Sequence, residues 1–167
     1  MEPTLLVGDR IFVSKYTYGY SKHSFPFSPN FSNNRFFSKS PERGDLVVFK
    51  TPADNRTDYI KRLIGLPGDE IQFIEGKLYI NGAKIIRKKT KIIEPIRCGN
   101  FLFETENFIE TLPNGISHLV SYKKVGTLKN TQIYKVPKEH FFLMGDNRDC
   151  SKDSRFLEEV GYVHNVN

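Results

Sequence analysis

Tryptophan is absent from this chain, and its 2 cysteines and 4 histidines stand far apart. Cys98 and Cys150 are too few for a disulfide framework and lack the spacing of a metal site. One bridge in an oxidising compartment is open to them, and the sequence leaves open whether they pair. His23, His118, His140 and His164 show no paired spacing for zinc, so all four read as structural or surface residues and no metal is expected. No apolar run approaches the ~18 residues that cross a bilayer. The N-terminus carries no basic stretch followed by an apolar one, as a secretory signal would. The chain as it stands is therefore expected to be soluble.

What is present bounds the fold. A length of 167 residues suits one domain, or one core carrying a subdomain. The apolar fraction of 38% and charged fraction of 26% are those of an ordinary folded protein. Phenylalanine and tyrosine are plentiful, and glycine and proline recur at intervals of about eight to twelve residues, the punctuation of a mostly β architecture. The excess of 25 Lys+Arg over 19 Asp+Glu gives +6, which suits an anionic partner such as a membrane surface or nucleic acid. Simple solubility accounts for most of those basic residues.

Asp58 to Asp69 organises the chain. Tyr59, Ile60, Leu63 and Ile64 are bulky and β-favouring, so the first half reads as a buried strand. Leu66-Pro67-Gly68-Asp69 then reads as a turn with proline at i+1 and glycine at i+2. Between core residues sits Lys61. Desolvation lowers the pKa of an ammonium so placed, and a neutral lysine amine can take the proton of a hydroxyl nucleophile. The plain alternative is a lysine that snorkels from a half-buried strand into water.

In chain order, Leu5-Leu6-Val7 reads as strand, Gly8-Asp9 as a turn or bulge, and Arg10 to Val13 as strand again. Residues 16–42 interleave tyrosine and phenylalanine with Ser, Asn and Pro, and are expected to form a projecting aromatic-rich hairpin or loop that touches a membrane surface. Such aromatics can also stack on single-stranded nucleic acid, but no RNA-binding signature accompanies them and no nucleic acid is expected. Leu46 to Phe49 is a core strand. Glu70–Glu75 and Lys77–Ile80 form a hairpin, and Asn81-Gly82 is a second hairpin turn. Residues 76–137 are expected to be a β-rich insertion or cap subdomain without chemistry of its own. Residues 1–75 and 138–167 form the core.

Phe141 to Met144 is again core strand and runs straight into Gly145-Asp146-Asn147-Arg148-Asp149-Cys150-Ser151-Lys152-Asp153-Ser154-Arg155. With Asp146 as its first position, a calcium loop would put Arg148 and Cys150 on ligand positions and Leu157 in place of the bidentate glutamate, which argues against calcium. An ordered network remains, with Asp149 and Asp153 pairing with Arg148 and Arg155 and holding the hydroxyl of Ser151 or Ser154 in place.

Four segments together resemble the bacterial type I signal peptidases: Met1-Glu2-Pro3-Thr4-Leu5 with Gly8-Asp9, Arg43 to Phe49, Tyr59 to Asp69, and Gly145 to Arg155. The resemblance implies a membrane-bound serine endopeptidase with a Ser/Lys dyad that removes signal peptides from secreted preproteins after Ala-x-Ala motifs, without a cofactor. Its fold would be a mostly β core with a β-rich insertion. Lys61 would be the general base and Ser151 the residue that orients it, with Asp153 and Arg155 as structural support. Met1, Leu5, Ile11, Val48, Tyr59 and Ile60 would line the pockets for small side chains. The nucleophilic serine of the family falls immediately before Met1, outside the sequence in hand, together with the membrane anchor and a residue of the oxyanion hole. The family's core also continues beyond the Gly161-Tyr162-Val163 strand, and Cys150 replaces an asparagine common there. Intact members sit in the inner membrane with the catalytic domain on the outer, periplasmic side. The alternative is a non-catalytic remnant that keeps only a peptide-binding groove.

Overall fold

The computed structural model describes residues 1–19, 39–51, 54, 56–91, 95–156, 160, 163 and 164. Residues 20–38, most of the expected aromatic projection, lie outside them, as do Gly161 and Tyr162. The described residues contain strands and turns and no helix.

The central sheet runs in the order β1 (Leu46–Lys50), β2 (Asp58–Gly65), β12 (His140–Met144) and β13 (Val163–His164), all neighbours antiparallel. Alternate residues of β12 face opposite sides. Phe141 and Leu143 join Val47, Phe49 and Leu63 in one apolar cluster, while Phe142 and Met144 join Ile64, Ile71 and Phe73 in another. Both faces of this strand are covered, which is why Phe-Phe-Leu-Met is continuously apolar rather than alternating.

A second sheet has the order β11 (Tyr134–Lys135), β3 (Glu70–Ile74), β4 (Lys77–Ile80) and β5 (Ala83–Lys84). Its two tight turns are those the sequence predicts. Glu75 and Gly76 link β3 to β4 with φ of 51° and 69°, and Asn81 and Gly82 link β4 to β5 with φ of 53° and 76°. Two successive positive φ values match the twist of an antiparallel pair, and Asn-Gly supplies them at least strain. The Leu66–Asp69 turn forms as well: Gly68 has φ of 89°, and the Leu66 N–H donates to Asp69 Oδ2 at 2.6 Å. Hairpin β3–β4 crosses residue 76, so the expected core and insertion share a sheet.

A third sheet, β10 (Ser117–Lys123), β9 (Thr105–Thr111) and β6 (Ile86–Lys89), and the hairpin of β7 (Ile96–Cys98) with β8 (Phe101–Phe103) complete the set. Cys98 and Cys150 are disulfide-bonded, with Cα atoms 5.3 Å apart.

The N-terminal residues depart from the sequence reading. Neither Leu5–Val7 nor Arg10–Val13 is strand. Their alternation resembles a half-buried strand, but no described strand pairs with them, and apart from half-buried Leu5 their side chains face outward, Val7 at 87% exposure and Phe12 at 105%. The Gly8-Asp9 turn does form, the Asp9 N–H donating to Leu6 O at 3.2 Å with Gly8 at φ 102°. Tyr18 docks the far end of the segment by donating to Asp45 Oδ2 at 2.8 Å.

Candidate active site

Lys61 lies on β2 opposite Val47, with Tyr59 opposite Phe49 on the same face. Its ammonium is 5.3 Å from the Tyr59 ring centroid and makes no hydrogen bond or ion pair to a described residue. Burial lowers its pKa from the ordinary 10.5, and the Arg155 guanidinium pushes the same way. Asp153 and Asp146 pull it back without cancelling the shift. The half-buried strand thus holds an amine that gives up its proton more readily than a surface lysine.

Asp153, with no exposed surface, is gripped by Arg155 through Nε at 2.8 Å and Nη2 at 2.9 Å, and it accepts the Gly145 N–H at 3.0 Å. Burial alone would raise the carboxyl; these partners outweigh it and hold the group below its usual range. Ser154 locks the loop to the strand, accepting the Leu143 N–H at 3.0 Å while its own N–H donates to Leu143 O. Ser151 lies beside Asp153 and its hydroxyl helps to lower that carboxyl, but it makes no well-formed hydrogen bond to Lys61 or to another described residue.

Asp146, which the sequence reading gave no role, joins three parts of the chain. Arg62 donates to its two oxygens at 2.9 and 2.7 Å, and the Thr4 hydroxyl donates to Oδ2. Arg62 also donates to Gly44 O at 2.8 Å. Thr4 is thereby fixed to the loop that follows β12, and the Met1 amino group is held where burial and the Lys61 charge both lower its pKa. Glu2 is held too, its carboxylate accepting the Arg97 N–H at 3.0 Å.

Arg148 does not pair with Asp149, contrary to the sequence reading. It is fully buried and donates to both oxygens of Glu110 and to the Tyr122 hydroxyl at 3.0 Å. Asp149 instead accepts the Lys123 N–H at 2.7 Å and the Thr127 hydroxyl at 2.9 Å. His118 is wedged between Glu110 and Asp146; burial first, then Arg148 and Arg62, push its pKa down to about 3, so it is neutral. Glu110 was hard to find from sequence because β9 loses its alternation at Ile109, which is exposed while its neighbour Glu110 is buried. An acidic residue in a strand otherwise flanked by threonine and isoleucine was the available signal.

Of the expected pocket residues, Val48 and Ile60 oppose one another on the face of β2 away from Lys61, and Tyr59 lies on the Lys61 face. Met1 and Leu5 are half-buried on the segment tied to Asp146. Ile11 is exposed on the irregular segment.

The edge beside Lys61 is open. The Leu63 N–H donates to Asp45 O at 2.9 Å, so the polar groups of Leu63 face β1. Stepping back by twos, those of Lys61 and Tyr59 face β1 also, and the N–H and C=O of Ile60 face the other edge. There β12 pairs with Arg62, Leu63 and Gly65, and no described strand pairs with Asp58–Lys61.

Comparison with known proteins adds a family. The model of "Signal peptidase, peptidase S26" matches residues 1–167. Signal peptidase I of Rickettsia bellii (strain OSU 85-389) is 42% identical over 98% of this chain and 57% of its own length. That of Rickettsia felis is 45% identical over 98% of this chain and 62% of its own length. The chain thus spans about three-fifths of the curated relatives it matches. Among solved structures, a signal peptidase I from Enterococcus faecalis V583 is 30% identical, covering 75% of this chain and 91% of that one with a TM-score of 0.42.

Proposed function

Because this chain belongs to the signal peptidase family S26, we propose that it carries the lysine half of a Ser/Lys endopeptidase that removes signal peptides from secreted preproteins after Ala-x-Ala motifs. The observation that carries this reading is the placement of the Met1 amino end within the field of a half-buried Lys61 that makes no hydrogen bond to a described residue. A serine immediately before Met1 would therefore lie next to an amine whose pKa is already depressed.

In that arrangement the neutral Lys61 amine takes the serine proton as the hydroxyl attacks the scissile carbonyl, then returns it to the leaving amine. Water hydrolyses the acyl-enzyme with Lys61 again as base. The Ser151 hydroxyl is buried beside Asp153 and makes no well-formed hydrogen bond to a described residue, which leaves it available to orient the amine. Asp153 and Arg155 hold the loop that carries Ser151. The substrate pairs as an added strand with the open edge at Ile60. Met1, Leu5, Val48, Tyr59 and Ile60 offer the apolar lining for small side chains, with Ile11 on its rim. Exposed Val7 and Phe12 beside a net positive charge suit contact with a membrane surface on the outer side of the inner membrane.

The test is cleavage of a preprotein peptide by this chain joined to its upstream segment. Cleavage that disappears on replacing that serine by alanine, and separately on Lys61→Ala, is the expected result. Retained cleavage in Lys61→Ala would remove Lys61 from the mechanism.

A further inference from the structure

The hairpin β7–β8 touches both sides of the proposed dyad. Its Arg97 N–H holds the Glu2 carboxylate, one residue from Met1. The next residue, Cys98, is bonded to Cys150, one residue from Ser151. The hairpin is itself anchored: Ile96 is 1% exposed, and the Phe103 ring lies 4.0 Å from the Lys123 ammonium. The Lys123 N–H in turn holds Asp149, on the other side of Cys150. No other described element makes a covalent link to the Ser151 loop.

We propose that this hairpin is a positioning clamp for the reaction: through Glu2 and Cys150 it sets the separation between the chain end at Met1 and the hydroxyl of Ser151, and keeps both closed over Lys61. The inference rests on the Ser/Lys reading above. It gives the insertion a part in the chemistry, because a segment with no reacting group of its own holds the two segments that flank the base. Its consequence is redox dependence. A dithiol that donates two electrons and two protons to the Cys98–Cys150 bond leaves two thiols and its own disulfide, and one side of the clamp opens. Water then reaches Lys61. Burial is the main cause of the depressed Lys61 pKa, so its loss outweighs any weakened pull from Asp153.

The experiment compares the full chain, with its upstream segment, in the oxidised form, after dithiothreitol, and as Cys98→Ser/Cys150→Ser. The Lys61 amine is titrated by NMR with labelled lysine, and kcat, KM and Tm are measured alongside. Opening the clamp raises the Lys61 pKa by about one unit and lowers kcat per folded molecule by up to about 10²-fold with KM little changed. A lower Tm with an unchanged Lys61 pKa overturns the proposal, since the bridge would then only staple the fold. Should the cysteine variant fail to fold, Glu2→Ala opens the other side: it raises the Lys61 pKa, and Glu2→Gln, which keeps an acceptor oxygen, recovers most of the loss. No change in Glu2→Ala overturns the clamp equally. Absence of cleavage by the oxidised parent sinks the protease reading instead, while the titration still decides the clamp.

Discussion

Ser151 occupies the space that a side chain at residue 145 would need: a Cβ built on Gly145 comes 2.5 Å from the Ser151 Cβ and closer still to its hydroxyl. Residue 145 lacks a side chain so that residue 151 can have its own. Gly145→Ala is therefore expected to destabilise the fold by about 1–3 kcal/mol and to lower cleavage further than stability alone explains. Adding Ser151→Gly should restore the denaturation midpoint and leave cleavage low. Recovery of both would mean that the hydroxyl has no part in orienting the base.

Lys61→Met removes a poorly solvated charge. Its folded pKa is lowered, so between that pKa and 10.5 the unfolded chain holds more protons and stability rises with pH. The variant should lose this slope, melt no lower than the parent at pH 7, and cleave nothing. In the parent, cleavage should rise with pH along a limb that lies below the ordinary lysine range. A limb at 10.5 or above would contradict the burial argument.

Much of the fold is legible in the sequence. The turns at Pro67-Gly68, Glu75-Gly76 and Asn81-Gly82 were legible because turn geometry is a local property of two residues. Strands β1, β2 and β12 were legible from apolar runs. Lys61 stands out as a lysine among core residues, and the charged loop after β12 suggests the Asp153–Arg155 pair, which forms; the roles of these residues rest on the family resemblance. The irregular N-terminal segment was misread because its alternation suits a strand, whereas strand formation needs a partner edge that one sequence does not display. Arg148 was assigned to its sequence neighbour Asp149, yet its true partner Glu110 is 38 positions away. The Cys98–Cys150 bridge was undetermined for the same reason: a pairing across 52 residues is a fact of packing.

Removing one member of the Arg148–Glu110 pair strands the other in the interior. Glu110→Ala should cost about 3–5 kcal/mol, measured by urea denaturation, and loosen β9–β10 from the loop after β12. Replacing both, as Glu110→Leu with Arg148→Met, should regain most of that loss. Equal instability of single and double variants would show that the charges matter beyond their pairing.

His118 predicts a sensitivity to acid. With a folded pKa of about 3 against 6.5 for the ordinary side chain, the unfolded chain takes up a proton in that window and the folded chain does not. Its contribution to stability is complete above pH 6.5 and is lost as pH falls towards 3, at up to about 1.4 kcal/mol per unit. His118→Gln should show a correspondingly shallower decline in denaturation free energy between pH 6 and 4 than the parent. Parallel curves would place the proton elsewhere.

Thr4 meets Asp146 across 142 positions of sequence. Synthesis runs from one of these residues to the other, so a growing chain possesses its lysine strand long before Asp146 can pin Thr4. The ribosome must add Asp146, then Ser151 and Arg155, before the pieces can meet. A site assembled from residues 142 positions apart carries its own delay, and a product terminated before Asp146 has Lys61 without the contact that fixes Thr4.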